Sequence, residues 1–78
     1  MASLRRDFGN RLKAIRLERK LTQEAFAEIV GISVDFLSLI ERGLNSPSFD
    51  VLERMGHKLN LPVRELFDFR RPSARQQR

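Results

Sequence analysis

Residues 22–43, TQEAFAEIVGISVDFLSLIERG, leave the chain little choice of local structure. Thr22 can cap a helix, its hydroxyl accepting from one of the first free backbone N–H groups. Phe26, Ile29 and Val30 then recur at helical spacing and predict one buried face. Gly31 follows the last of them. Glycine there takes a left-handed conformation without a Cβ penalty and stops the helix. Ser33 caps again, Leu37 and Ile40 supply the next buried stripe, and Gly43 stops it in the same way. The pattern predicts helices over 23–30 and 34–42. The turn between them is too short for a hairpin with parallel axes, so the two helices are expected to cross steeply, with the small Ala27 at the crossing.

Two short helices crossing over a tight turn have helix-turn-helix geometry. In detail the stretch resembles the helix-turn-helix of the lambda-repressor/Cro-like family, also called the XRE family. That family's 20-residue motif would occupy residues 23–42. It asks for alanine at the fifth place (Ala27), glycine at the ninth (Gly31) and aliphatics at the fifteenth and eighteenth (Leu37, Ile40). The family's LTQ opening is Leu21-Thr22-Gln23, and its IERG ending is Ile40-Glu41-Arg42-Gly43. The likeness extends over about residues 8–67. The resemblance implies an all-α, five-helix domain that binds double-stranded DNA as a homodimer. It also implies that Arg16 pairs with Glu41 and ties the first helix to the third.

Upstream, Leu4, Phe8, Leu12 and Ile15 step by four, four and three, which predicts an amphipathic helix over 4–20 capped by Ser3. Gly9 inside it costs about 1 kcal/mol relative to alanine and marks either close packing or simple tolerance. Arg5, Arg6, Arg11, Lys13, Arg19 and Lys20 are expected on its polar face. Downstream, Leu44-Asn45-Ser46-Pro47 reads as a linker of turn formers. Ser48 caps a fourth helix whose apolar face is Phe49, Leu52, Met55 and Leu59, with Gly56 allowing a close contact. Asp50 in its first turn favours the helix dipole. Asn60 ends it, and Pro62 opens a short fifth helix over 62–67.

Length and charge narrow the function further. Seventy-eight residues allow one domain, placed at 1–69, followed by a basic tail at 70–78 expected to be disordered. The absence of cysteine excludes disulfides and thiolate metal sites. His57 has no second ligand at metal-binding spacing, so neither metal nor cofactor is expected. No nucleophile–base pair points to an enzyme. No apolar run nears the ~20 residues that span a bilayer, and a cytoplasmic protein without a membrane partner or small-molecule effector is expected. The net charge of +5 is unevenly spread. Residues 1–20 carry +5, residues 21–69 carry −4, and residues 70–78 carry +4. Basic ends suit phosphate contacts, which supply most salt-sensitive affinity for nucleic acid; the alternative is a solvated surface.

In a helix-turn-helix the second helix enters the major groove and the first points at the backbone. Gln23, at the start of the first motif helix, is expected at a phosphate. Ser33, Val34, Asp35, Ser38, Leu39 and Arg42 are expected to form the reading face, with Val34 suited to a thymine methyl and Asp35 to a cytosine amino group. Asn45 and Ser46 are expected at the backbone after the helix. Phe36 is expected to pack against the first motif helix. Val63, Leu66, Phe67 and Phe69 are more apolar groups than a six-residue helix needs for one core face, and are expected to build a dimer interface. The competing function is a helical protein-interaction module, suggested by the apolar and acidic character of the second motif helix: Val34, Asp35, Phe36 and Leu39.

Overall fold

The structure is a computed structural model, and it describes residues 3–70. Residues 71–78, most of the expected basic tail, lie outside it. Four α-helices follow one another: α1 (Leu4–Glu18), α2 (Gln23–Val30), α3 (Val34–Glu41) and α4 (Phe49–Leu59). A 3₁₀ helix, Val63–Phe67, is the last element among the described residues. No strand occurs among the described residues. The fold is the all-α arrangement expected, except that the fifth helix is a single 3₁₀ segment. Pro62 stands just before it, at φ −61°, rather than within it.

The caps explain why each helix is where it is. Ser3, Thr22, Ser33 and Ser48 precede the four α-helices, and each hydroxyl accepts from the backbone N–H three residues on, at 3.0–3.2 Å. Each α-helix then ends on a left-handed residue: Lys20, Gly31, Gly43 and Asn60. Behind it the next N–H reaches back into the last turn, as Leu44 N does to Leu39 O at 2.9 Å. α1 stops at Glu18, two residues short of the expected end. Lys20 takes φ 59° there, and Leu21 N donates to Arg16 O. Lysine gives no stop signal in sequence, which is why this boundary was not legible.

The core comprises Phe8, Leu12 and Ile15 of α1, Phe26, Ala27 and Val30 of α2, Leu37 and Ile40 of α3, Leu52, Met55 and Leu59 of α4, and Leu66. α3 packs on both α1 and α2, and α4 packs on α2 and on the 3₁₀ helix. The α1–α3 contact is made through backbone. A Cβ at Gly9 would fall on the carbonyl oxygen of Ile40 and lie 2.9 Å from that of Glu41. Gly9 therefore marks close packing. Gly56 does the same for the 3₁₀ segment, where a Cβ would lie 2.8 Å from Leu61 O.

Several residues assigned to buried faces lie outside the core. Leu4, Ile29 and Phe49 are exposed, Phe49 at 84%. Leu4 and Phe49 are the first residues of their helices and overhang the body. Ile29 loses the inward position because Val30, one helical turn after Phe26 and Ala27, takes it. Arg11, expected on the polar face of α1, is buried. Its Nε donates to Glu65 O at 2.9 Å, and Nη2 lies 3.5 Å from Glu65 Oε1. Only the return of the 3₁₀ helix onto α1 creates those partners.

Candidate nucleic-acid interface

α3 is anchored on one side and open on the other. Leu37, Ile40 and Glu41 are buried. At 100° per residue, Val34, Ser38, Arg42, Asp35 and Leu39 fall in that order within an arc of about 140° facing away from them. Ser33, Asp35 and Arg42 are exposed, while Val34, Ser38 and Leu39 are half-buried. Ser33 Oγ accepts from Phe36 N at 3.0 Å, which leaves its hydroxyl proton free to donate outward. Val34 and Phe36 pack against the core cluster. That reduces the apolar surface that favoured a protein-binding role for this helix.

Past the end of α3, Asn45 and Ser46 are exposed, and Asn45 Oδ1 accepts from Ser46 N at 2.8 Å. The fold brings basic residues of the polar face of α1 to this loop. A Cβ at Gly43 would lie 3.1 Å from Arg6 Cα, so the first turn of α1 sits against the exit of α3. Arg5 shares the rim of one groove with Asn45 and Ser46. The +5 of residues 1–20 was the signal; it located the charge in sequence but not beside the loop.

Arg16 and Glu41 form a buried bidentate pair between α1 and α3. Arg16 Nε donates to Glu41 Oε2 at 2.7 Å and Nη2 to Oε1 at 3.0 Å, with side chains 9% and 3% exposed. Gln23, expected to reach out to phosphate, is half-buried, and its Nε2 donates inward to Glu41 Oε1 at 3.1 Å. A buried carboxylate has four lone-pair sites to fill, and Gln23 is the donor that α2 places within reach.

The residues expected at a dimer interface divide. Leu66 is fully buried in the monomer and is unavailable to a partner. A 3₁₀ helix of five residues still has one inward side, and Leu66 occupies it. Val63 and Phe69 are exposed at 37% and 39%, and Phe67 is half-buried. Phe67 packs on Phe8 with ring centroids 5.0 Å apart and on Phe69 at 6.1 Å. A groove of about 510 Å³ lies beside this row, walled by Leu4, Phe8, Pro47, Phe49, Leu52 and Phe67. Phe49 is the residue sequence reasoning missed, because its helical phase matches the buried stripe of α4.

Among the described residues no group of three or more His, Asp or Glu side chains could hold a metal ion, and no helix is long and apolar enough to cross a membrane.

Comparison with known proteins agrees with this geometry. The helix-turn-helix family HTH_3 matches residues 12–66. The chain is similar to the uncharacterized HTH-type transcriptional regulator YazB of Bacillus subtilis (strain 168), 41% identical over 59 residues that cover 76% of this chain and 86% of that one. It is also similar to control protein C.MunI of Mycoplasma sp, 38% identical over 61 residues, covering 77% and 82%. Among solved structures, the restriction-modification controller protein C.AhdI from Aeromonas hydrophila superposes with a TM-score of 0.76 at 30% identity, covering 81% of this chain and 96% of that one. With four capped α-helices, α3 anchored on α1 and α2, and with that match across most of its length, the chain belongs to the HTH_3 (XRE) family of helix-turn-helix DNA-binding transcriptional regulators.

Proposed function

We propose that the protein is a sequence-specific regulator that binds double-stranded DNA as a homodimer on a pseudo-palindromic site. The observation that carries this is the open arc of α3, from Val34 to Leu39, opposite the buried Leu37 and Ile40. In this reading Ser33, Val34, Asp35, Ser38, Leu39 and Arg42 meet base edges or flanking phosphates in the major groove. Gln23 and the N-terminus of α2 meet a phosphate on one side, and Asn45 and Ser46 with Arg5 and Arg6 meet the backbone on the other. Likeness to two controller proteins over most of their length supports a place among small regulators of this kind.

The dimer rests on exposed aromatic surface. Among the described residues Phe49, Phe69 and Val63 are exposed and the adjoining Phe67 is half-buried, a run of apolar groups at one surface. A two-fold contact uses the same patch on both copies and sets the two α3 helices about 34 Å apart, the spacing of successive major grooves. One reading helix with so few polar contacts would bind weakly, and linking two raises the affinity of the pair. Selection of bound duplexes from a random library, at low and at moderate salt, tests the whole reading. A symmetric motif with two half-sites supports it. Salt-sensitive binding without any enriched motif, or no binding, rejects sequence-specific recognition.

A further inference from the structure

The Arg16–Glu41 pair does not end at two residues. Glu41 Oε1 accepts from both Arg16 Nη2 at 3.0 Å and Gln23 Nε2 at 3.1 Å. Arg16 Nη1 donates to the carbonyl of Leu21 at 2.9 Å. Leu21 immediately precedes Thr22, the cap of α2, and Gln23 is the first residue of that helix. One buried cluster thus fixes both the backbone entering α2 and the first side chain on it. We propose that Glu41 is a positioning residue for DNA binding, holding the Gln23 amide with its second N–H free to donate to a phosphate. This rests on the reading of Gln23 as a phosphate contact given above.

The chemistry of the three groups makes the arrangement selective. A primary amide offers two N–H donors on one end and an oxygen on the other. A phosphate accepts only from the nitrogen end and repels the oxygen. An unheld glutamine presents either end. Glu41, a carboxylate that can only accept, draws the nitrogen end toward itself and so fixes which way the amide lies. Two N–H groups of Arg16 offset the carboxylate charge, so Glu41 can sit behind a phosphate-binding residue without opposing the phosphate. The rotamer freedom of Gln23 is then already lost in the free protein rather than on binding. Immobilising one such side chain in advance is worth about 2- to 12-fold in affinity.

A double-mutant cycle on binding to the selected duplex tests this. Arg16→Met with Glu41→Leu removes the cluster without leaving one buried charge alone. In the wild-type background this pair of changes should weaken binding about 2- to 12-fold, measured where circular dichroism shows the variant folded. In a Gln23→Ala background the same pair should cost clearly less, only what loss of the Arg16–Leu21 bond takes from the N-terminus of α2. Equal losses in both backgrounds would mean that the cluster acts through the fold as a whole, and would overturn the proposal. A measurement on the unaltered free protein guards against a variant that does not fold. The side-chain amide protons of Gln23 should exchange with water more slowly than those of the exposed Asn10. Exchange as fast as that of Asn10 also overturns the proposal. A protein that binds no duplex rejects the functional reading, and the positioning role with it, whatever the amide exchange shows.

Discussion

Gly9→Ala sets two physical effects against each other. Gly9 lies in the middle of α1, where alanine is favoured over glycine by about 1 kcal/mol. Taken alone, that raises stability. The structure decides otherwise. The added Cβ would fall on Ile40 O and come within 2.9 Å of Glu41 O and 3.1 Å of Glu41 C, where ordinary contact begins at 3.4 Å. These are backbone atoms of α3, so no side chain can rotate away to make room. Relief requires α3 to back off from α1, which also stretches the 2.7 and 3.0 Å bonds between Arg16 and Glu41. Overpacking costs about 1–3 kcal/mol and sometimes more; with rigid backbone on the receiving side the upper end applies. The net expectation is a loss of about 2 kcal/mol, or a melting temperature lower by about 8–16 °C in a domain this small. Thermal melts followed by circular dichroism measure it. Asn10→Ala, next door and exposed, serves as control and should raise the melting temperature by a few degrees, as propensity alone dictates. A Gly9→Ala protein that melts at or above the wild-type temperature would refute the backbone contact between α1 and α3.

Three further outcomes are expected. Arg16→Met leaves Glu41 buried without its charge partner and should cost about 3–5 kcal/mol, while Arg16→Met with Glu41→Leu costs less than the two single changes together; additive losses in denaturant titrations would deny that the pair acts as a unit. Asp35→Ala and Val34→Ala should each change the preferred sequence, a good base contact being worth about 1–3 kcal/mol, and identical selected motifs for both variants and wild type would remove them from the reading face. Phe49→Ser and Phe69→Ser should sediment as monomers at concentrations where wild type is dimeric, and a wild type that stays monomeric with and without DNA ends the dimer proposal.

Local chemistry was written in the chain and read correctly from it. Caps at Ser3, Thr22, Ser33 and Ser48 and left-handed stops at Gly31, Gly43 and Asn60 act within a few residues, so they placed α2 to the residue and the other α-helices within two. Leu37 and Ile40 fixed the buried side of α3, and with it the arc left open. Other features depend on residues distant in sequence. Arg11 is buried because Glu65, 54 positions away, returns to meet it. Gln23 turns inward because Glu41 lies behind it, and Leu66 is buried because the 3₁₀ helix closes onto α1 and α4. Phe49 matches the phase of a buried stripe yet stays exposed, because it starts α4 where none of the described helices covers it. Helical periodicity tells which residues share a side; only the packed neighbours determine how far along the helix that side is covered.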